Sequence, residues 1–417
     1  MRVFVTGAGV VSSLGLGAKP FGEALSAGQT SARSITLFDS SQLDRHIACE
    51  VHDFRPRDHL TAAEARRMGR CSAMLTAAAR MAWKDAGLVG AGEDARRAGV
   101  VIGTTMGEAN LLGSLESRWI HRGEDAVAAA ELPRYGSSLL SVHVARAFGA
   151  RGMVKTLPAA CAAGNYAIGY AADQIRSGRL DRVICGAGEV IEKLQYAGMA
   201  RLGAMAPERC QPFEQNRRGF LVGEGAGILM LESEASAVRR GARVLAEVGG
   251  YGLACDAHHI TRPHPEGAGL RFAMEQAIKA SGLSPRDIDY VNAHGTGTPA
   301  NDVVEAQVIE SVFGEQKSPW VTSLKSMIGH CMGAASAIEA VSCVLTLQDG
   351  VIPPTIHHEQ RDERCTSLRL AENASEQADV RVLLNNSAAF GGYDAVLCLA
   401  KEGVLPERAP LTLGGAA

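Results

Sequence analysis

Short apolar runs alternate along this chain with longer segments of helical composition, and this alternation restricts the possible folds more than any other feature. Residues 98–102, 183–186 and 227–232 are strand-like, whereas residues 62–86 and 162–177 are helical in character. Buried strands that alternate with helices favour an α/β fold with a largely parallel sheet.

The pattern starts again after about residue 250, which predicts two halves of similar architecture. Strands are expected at 244–252 and 288–292, and helices at 268–281 and 299–313. A chain of 417 residues, 46% hydrophobic and 21% charged, is long enough for two domains or for one unit made of two halves.

We place the first half at residues 1–250, the second half at residues 251–403 and a tail at residues 404–417. The tail has no periodic apolar pattern, so we expect it to lie on the surface or to be disordered. The first residues form a short apolar run that turns at Gly7 and Gly9, which predicts a first strand and not a signal peptide.

The overall charge and the cysteine pattern exclude several classes of function. The formal net charge is -3 and the charged residues are interspersed, so neither a nucleic acid nor a membrane is an expected partner. No apolar run approaches the roughly 20 residues of a membrane-spanning helix.

Ten cysteines without a C-x-x-C pair favour a reducing cytoplasm over disulfides or a zinc site. His258, His259 and His264 match no zinc spacing, so no metal is expected.

Glycine-rich segments follow several of the strand-like runs, and two of these segments carry a histidine. His294 lies in residues 292–298 and His330 in residues 329–333. Glycine permits a close approach of backbones at strand ends, where α/β proteins build active sites. Each histidine alone is more often structural than catalytic, whereas the recurrence of such segments favours a site.

Cys161 stands among small residues, with alanines on both sides. A predicted strand at 154–157 and a predicted helix at 162–175 put it near a helix N-terminus, where backbone N–H groups favour thiolate and lower the thiol pKa. The small neighbours leave room for a substrate carbonyl. The alternative interpretation is a buried cysteine that acts as a small hydrophobic residue.

Five motifs occur in order along the chain. They are Ala160-Cys161-Ala-Ala-Gly164, the segment 211–227 (QPFEQNRRGFLVGEGAG), the segment 292–299 (NAHGTGTP) with Asp302 and Glu305, the segment 323–330 (SLKSMIGH), and Asn386-Ser387 with Phe390-Gly-Gly392. This set resembles the β-ketoacyl-[acyl-carrier-protein] synthases of the thiolase superfamily, most of all the elongating class that includes type II polyketide ketosynthases. The resemblance extends from Val3 to about Lys401. It implies an α/β thiolase fold with five layers, αβαβα, made of two pseudo-repeated halves.

The resemblance implies a catalytic role for three residues. Cys161 would take the acyl chain from a carrier-protein thioester, while His294 and His330 would support decarboxylation of a malonyl unit and stabilise the enolate. Such a condensation needs a nucleophile that can leave as a thiolate and donors aimed at the enolate oxygen. Cysteine and two imidazoles provide these groups.

Four more residues have supporting roles by the same resemblance. Lys325, paired with Glu339, would orient the histidine region. Thr296 and Thr298 would hydrogen-bond the phosphopantetheine arm of the carrier protein, on which the substrates are carried. The resemblance implies neither a separate cofactor nor a metal.

The acyl channel is the part for which the sequence departs from the family. Phe390 would be the gate, and its backbone N–H would form the oxyanion hole with that of Cys161. Ala388 and Ala389 stand where an aromatic residue and a glycine are usual, which leaves space but restricts the backbone. Met106 matches a position that lines the channel, with plain core packing as the alternative.

The implied reaction is the decarboxylative condensation of an acyl chain on Cys161 with malonyl-acyl-carrier-protein, which yields a β-ketoacyl-acyl-carrier-protein. A specialised polyketide or fatty-acid-like pathway is the expected setting. An acyltransferase-type variant without decarboxylation is one alternative. A thiolase is disfavoured because Ser387-Ala-Ala-Phe390 stands where its second catalytic cysteine would be, and a non-catalytic chain-length subunit is disfavoured because it would lack Cys161.

Two partners follow from the same resemblance. One is an acyl carrier protein, which Arg66 and Arg67 would contact unless they form an ordinary solvated helix face. The other is a second chain, either in a homodimer or in a heterodimer in which this chain is the catalytic subunit beside a ketosynthase-like chain-length subunit.

Overall fold

Ten strands form the framework of the fold, five in each half of the chain. The computed structural model describes residues 1–88, 95, 97–314 and 318–407. The first half contributes β1 (Val3–Ser12), β2 (Gly99–Thr104), β3 (Val154–Pro158), β4 (Arg182–Glu189) and β5 (Gly225–Ser233). The second half contributes β6 (Ala246–Cys255), β7 (Tyr290–Asn292), β8 (Trp320–Thr322), β9 (Val382–Ala389) and β10 (Tyr393–Ala400).

The two halves have the same topology. Their strand orders are β1-β5-β4-β2-β3 and β6-β10-β9-β7-β8, so in each half the first strand is followed by the fifth, fourth, second and third. In both, the first three strands of this order pair antiparallel and the last three pair parallel. Strands β1 and β6 pair antiparallel and join the halves in one sheet. The prediction of two pseudo-repeated halves is therefore confirmed.

The prediction of a largely parallel sheet is wrong, because both kinds of pairing occur in each half. Strands β9 and β10 are separated by only three residues, and a connection this short joins antiparallel neighbours. The proposed boundary at residue 250 falls inside β6, which begins at Ala246.

Six helices complete the layers, again three in each half. They are α1 (Arg70–Asp85), α2 (Leu139–Phe148), α3 (Ala163–Arg176), α4 (Ala268–Ala280), α5 (Pro299–Phe313) and α6 (Ala335–Asp349). Helices α3 and α6 pack against each other between the two halves of the sheet, while α1 and α4 cover its outer faces. The five-layered αβαβα order of the thiolase fold is thus present.

Glycine permits the closest contact of the central helices. A Cβ atom on Gly164 of α3 would lie 2.4 Å from the backbone nitrogen of Ala337 in α6, which is closer than atoms can approach. Because Gly164 lies three residues after Cys161, this contact brings the start of α3 against α6.

The remaining elements are short or lie at the edges. The additional α-helices in the described part of the chain are Ala18–Ser26, Pro56–His59, Ala62–Arg67, Ala109–Arg122, Lys193–Arg201, Glu234–Arg239 and Lys325–Ile328. The additional strands are Gly15–Leu16, Arg33–Ser34, Ile47–Cys49, Val222–Gly223, Val351–Ile352, Arg369–Leu370 and Glu376–Gln377. No helix in the described ranges is long and apolar enough to cross a membrane.

The predicted helix at 62–86 is interrupted at Met68 and Gly69. A Cβ atom on Gly69 would lie 2.1 Å from a carboxylate oxygen of Glu108. That carboxylate accepts the N–H groups of Cys71 at 3.1 Å and Ser72 at 2.7 Å. Glu108 therefore satisfies the free N–H groups at the start of α1, a long-range contact that local periodicity cannot predict.

The apolar core follows the layers. One cluster fills the space between the two halves, and one lies under the outer helices of each half. Leu405, in the proposed tail, is buried in the cluster of the second half, so the expectation of a surface position is wrong there. The remainder of the tail, residues 408–417, lies outside the described residues. The ten cysteines all lie in the described ranges, and none of them forms a disulfide bond.

Candidate active site

Cys161 lies in a single 3-10 turn, Ala160–Ala162, between β3 and α3. Ala160 has a φ of 46°, the left-handed conformation that is strained for a residue with a Cβ atom. The carbonyl of Cys161 accepts hydrogen bonds from Ser336 Oγ at 3.2 Å and Ser387 Oγ at 3.1 Å. Helix α6 and strand β9 thus hold the turn from two sides and fix the position of the half-buried thiol.

The thiol is less acidic than its helix position predicts. Burial raises the pKa of Cys161 to about 12, although the nearby charge of Lys325 and the backbone N–H of Cys161 act in the opposite direction. Desolvation disfavours the thiolate more than the helix N-terminus favours it. The expectation of a lowered thiol pKa is therefore wrong.

His294 follows strand β7, and a buried carboxylate holds its backbone. The N–H groups of His294 and Gly295 donate to the two carboxylate oxygens of Glu305, each at 2.7 Å. The side chain is 3% exposed, and its Nδ1 atom has no hydrogen-bond partner among the described residues. Glu305, on helix α5, therefore fixes the backbone of His294 and makes no hydrogen bond to Nδ1 of the imidazole.

His330 lies on the loop between the helix Lys325–Ile328 and the 3-10 turn Met332–Ala334. The N–H of Met332 donates to His330 Nδ1 at 3.2 Å. Because Nδ1 is an acceptor, the proton of the neutral ring is on Nε2. The ring of Phe220 packs against the imidazole edge to face, with 5.1 Å between ring centroids. The hydrogen bond from Met332 thus defines the tautomer of His330, and the contact with Phe220 defines the orientation of its ring.

The two imidazoles form a perpendicular pair. Their ring centroids are 5.4 Å apart and their planes are inclined by 83°. Burial lowers the pKa of each histidine well below its usual value, and the charge of Lys325 lowers it further. Both rings are therefore neutral at neutral pH, so each offers one N–H donor and one acceptor nitrogen.

The predicted pair of Lys325 and Glu339 is present. The Nζ atom of Lys325 lies 2.5 Å from Oε1 of Glu339, and both side chains are fully buried. Burial raises the pKa of Glu339, and the lysine charge opposes this. The charge of Lys325 is the second cause, after burial, of the lowered pKa of both histidines.

One cavity of about 440 Å³ brings most of the predicted residues together. Its wall includes Cys161, His294, His330, Thr296, Thr298, Ala388, Ala389 and Phe390. Met106 is not among the residues that line it. Met106 is 39% exposed. The turn that carries it binds the carboxylate of Glu189 through the N–H groups of Thr105, Met106 and Gly107.

Thr296 and Thr298 belong to a loop whose backbone is hydrogen-bonded to the carboxylate of Asp302. Thr296 Oγ1 and Thr298 Oγ1 are 2.8 Å apart. The N–H of Gly297, between them, donates to both oxygens of Asp302 at 3.1 Å. Arg217 lies 3.5 Å from the same carboxylate and pairs with it. The loop therefore presents two hydroxyl groups to the cavity from a fixed backbone.

Phe390 lies in the three-residue turn between β9 and β10. Gly391 and Gly392 follow it with φ values of 87° and 77°, which require glycine. The N–H of Gly391 donates to the carbonyl of Ile260 at 2.7 Å, and the carbonyl of Gly392 accepts the N–H of Asp256 at 2.9 Å. The turn is thus docked on the loop that follows β6.

The sequence interpretation gave no role to several residues that position the site, namely Glu189, Ser336, Asp256 and Asp394, and it placed Phe220 and Ser387 in motifs without predicting their contacts. Glu189 and Asp394 are charged residues near the ends of strands whose central residues are apolar, and that contrast was the available signal. Arg66 and Arg67 are exposed on the helix Ala62–Arg67, a position that fits either interpretation of their role.

Comparison with known proteins agrees with this geometry. The model of the β-ketoacyl synthase N-terminal domain matches residues 1–237, and that of the C-terminal domain matches residues 245–359. The chain belongs to the β-ketoacyl synthase family. It is therefore an enzyme of the ketosynthase class.

The ketosynthase is similar to relatives along nearly its whole length. The 3-oxoacyl-[acyl-carrier-protein] synthase 2 of Staphylococcus aureus is 37% identical over 408 residues, covering 96% of this chain and 98% of the relative. The solved structure of the ishigamide ketosynthase/chain length factor is 42% identical, with a TM-score of 0.90, and covers 96% and 99% of the two chains. A ketosynthase in complex with its type II PKS acyl-carrier protein is 30% identical, with a TM-score of 0.86 and a coverage of 96% and 99%.

Proposed function

We propose that this ketosynthase condenses an acyl chain carried on Cys161 with malonyl-acyl-carrier-protein and releases carbon dioxide. The single observation that supports this most is the convergence of Cys161, His294 and His330 on one cavity, with both imidazoles neutral. The relatives support the same reaction, since one of them is a 3-oxoacyl-[acyl-carrier-protein] synthase.

The first step transfers the acyl chain. The sulfur of Cys161 attacks the thioester carbonyl of the acyl donor, and the N–H groups of Cys161 and Phe390 stabilise the oxyanion. The carbonyl re-forms, the carbon–sulfur bond to the phosphopantetheine breaks, and the departing thiolate takes the proton that Cys161 loses. Thr296 and Thr298 bind the phosphopantetheine arm during this step.

The second step uses the histidine pair. A malonyl thioester enters with its carbonyl oxygen near His294 and His330, and its carbon–carbon bond breaks to release carbon dioxide. The electron pair forms an enolate, whose oxygen accepts hydrogen bonds from the imidazoles. The Nε2–H group of His330 is the assigned donor, because its Nδ1 atom is already an acceptor. Such preorganised donors typically contribute about 3 kcal/mol each to transition-state stabilisation.

The third step joins the two substrates. The enolate carbon attacks the acyl-Cys161 carbonyl, and the collapse of the tetrahedral intermediate breaks its bond to sulfur. The product is a β-ketoacyl thioester on the carrier protein, and the thiolate of Cys161 takes up one proton from solvent. This cycle needs no metal and no cofactor besides the phosphopantetheine of the carrier protein.

We also propose an acyl carrier protein and a second ketosynthase-like chain as partners, in the cytoplasm. Arg66 and Arg67 provide exposed positive charge for the first. Leu112, Trp119 and Ile120 expose apolar surface on the helix Ala109–Arg122, which suits the second. Because one similar structure is a ketosynthase/chain length factor, the second chain is either another copy or a chain-length subunit.

Intact-mass measurements test the reaction. The protein is incubated with acyl-acyl-carrier-protein and then with malonyl-acyl-carrier-protein, and the adduct and the released carbon dioxide are followed. We expect the acyl adduct in the wild type and in a Cys255→Ala control, since Cys255 is exposed, but not in Cys161→Ala. An adduct that survives Cys161→Ala would overturn the proposal.

The histidine variants separate condensation from acyl transfer. His294→Asn and His330→Asn are expected to keep the acyl adduct and to lose condensation by about 100-fold or more. If the wild type forms the adduct and releases no carbon dioxide, the chain is instead the acyltransferase-type variant. The space beside Phe390 that Ala388 and Ala389 leave is the feature that favours that second candidate.

A further inference from the structure

Two carboxyl groups face each other beneath the Phe390 turn. Asp394, on β10, is 2% exposed, and Asp256 follows the end of β6. Both line the cavity of the site. A Cβ atom on Gly269 would lie 2.3 Å from Asp394 Oδ2 and 2.6 Å from Asp256 Oδ1, so the two oxygens border the same small space.

The hydrogen bonds around this pair are unequal. The Asp256 carboxylate accepts the N–H of His264 at 2.8 Å and the N–H of Gly269 at 3.2 Å. The Oδ2 atom of Asp394 has no hydrogen-bond partner among the described protein donors. An ionised carboxylate can only accept, so these two groups can bond to each other only when one of them carries a proton. Asp256 already has two donors, which leaves Asp394 as the protonated partner.

The surroundings of Asp394 disfavour a second negative charge. Glu305 from helix α5 and Asp256 from the loop add negative charge. Tyr166 from α3 interacts electrostatically with Asp394, and its ring contacts that of Tyr393 edge to face. Arg262 lines the same cavity from the loop side. Burial, followed by the charge of Asp256, raises the pKa of Asp394 to about 8. The group is therefore protonated at neutral pH and loses its proton above pH 8.

The pair lies directly at the contacts that hold the turn. The N–H of Asp256 donates to Gly392, and Ile260 accepts the N–H of Gly391. A Cβ atom on Gly392 would lie 3.0 Å from Cβ of Asp256, so the two backbones are tightly packed. A change in the position of Asp256 would therefore reach the turn that carries Phe390.

We propose that Asp394 is a positioning residue, which donates its proton to Asp256 and so holds the Phe390 turn against the loop 256–266. When both groups are ionised, like charges face each other across the small space, and the turn separates from the loop. The effect on catalysis rests on the proposed gate function of Phe390. The effect on the turn itself does not.

Hydrogen–deuterium exchange of residues 388–393 between pH 6.5 and 9.5, corrected for intrinsic exchange, tests the proposal without any substrate. In the wild type, opening of this segment should increase by up to about tenfold per pH unit below the pKa of Asp394, near pH 8, and level off above it. Asp394→Asn keeps a donor for Asp256 but cannot ionise, so its corrected exchange should not change with pH. Asp379→Asn, an exposed carboxylate of the same half, is the control and should behave as the wild type.

Equal pH dependence in the wild type and in Asp394→Asn would overturn the proposal. If Asp394→Asn does not fold, Asp256→Asn provides the same test, because its amide can donate to an ionised Asp394. Acylation of Cys161 is measured in parallel as the ratio of variant to wild-type rate, which should change with pH up to about pH 8 and level off above it. If hydrogen exchange depends on pH as expected and the acylation rate does not, the positioning role of Asp394 is supported and the gate function of Phe390 is contradicted.

Discussion

The ammonium group of Lys325 lies 2.5 Å from the carboxylate of Glu339, and at most 1% of either side chain is exposed. The charge of this lysine is also the common cause, after burial, that lowers the pKa of His294 and His330. Lys325 therefore lowers the pKa of both histidines through the electric field of its charge. Burial of the two charges of the ion pair requires free energy for their desolvation.

Removal of one partner of this pair should destabilise the fold strongly. In Glu339→Gln the lysine charge stays buried without its counter-charge, which typically costs about 3–5 kcal/mol in the free energy of unfolding. Urea unfolding measures this loss. The control is Asp379→Asn, which breaks the exposed pair with Lys401 and should cost about 0–1 kcal/mol. Equal losses in the two variants would contradict the buried character of the pair.

The thiol of Cys161 should react slowly at neutral pH and steadily faster in alkali. With a pKa of about 12, its thiolate fraction increases tenfold for each pH unit up to pH 10. Alkylation by iodoacetamide, followed by peptide mass spectrometry in a Cys255→Ser background, measures this between pH 6.5 and 9.5. A plateau in the rate below pH 8 would show that the thiol is acidic instead.

Substitution of Glu305 should reduce the condensation rate more than substitution of another glutamate on the same helix. Glu305→Gln replaces one acceptor oxygen by an amide that cannot accept the N–H of His294 or Gly295, so one short hydrogen bond is lost. We expect the condensation rate to fall by about 10–100-fold, which corresponds to about 1.4–2.7 kcal/mol in the activation barrier. Formation of the acyl adduct should change less.

The matched control for that substitution is Glu310→Gln, because Glu310 is exposed on the same helix α5. It should leave the condensation rate unchanged. Equal kinetic losses in the two variants would show that the helix, and not the hydrogen bonds to the His294 loop, is responsible.

Both active-site histidines should remain neutral over the usual working range of pH. Their pKa values lie well below 6.5 because burial and the lysine charge disfavour the imidazolium form. In 13C-labelled protein, the Cε1 resonances that disappear in His294→Asn and His330→Asn should not shift between pH 8 and pH 6. A titration with a midpoint near pH 6.5 would contradict the proposed burial of the positive charge.

Local patterns in the sequence determine much of this fold. Helix α5 occupies exactly the predicted residues 299–313, and α4 ends one residue before the prediction. Helical and strand periodicities depend on neighbouring residues, so they are readable without knowledge of the partner elements. The motifs around Cys161, His294 and His330 likewise identify the groups that carry the chemistry.

The tertiary structure alone decides how these groups behave. The raised pKa of Cys161, the break before α1 at Gly69, the exposed position of Met106 and the facing carboxyl groups of Asp256 and Asp394 depend on contacts between distant parts of the chain. The hydrogen bonds of Glu305 to His294 and of Ser387 to Cys161 likewise join residues that are distant in the sequence. Desolvation and charge act through space, and only the folded chain defines which groups share that space.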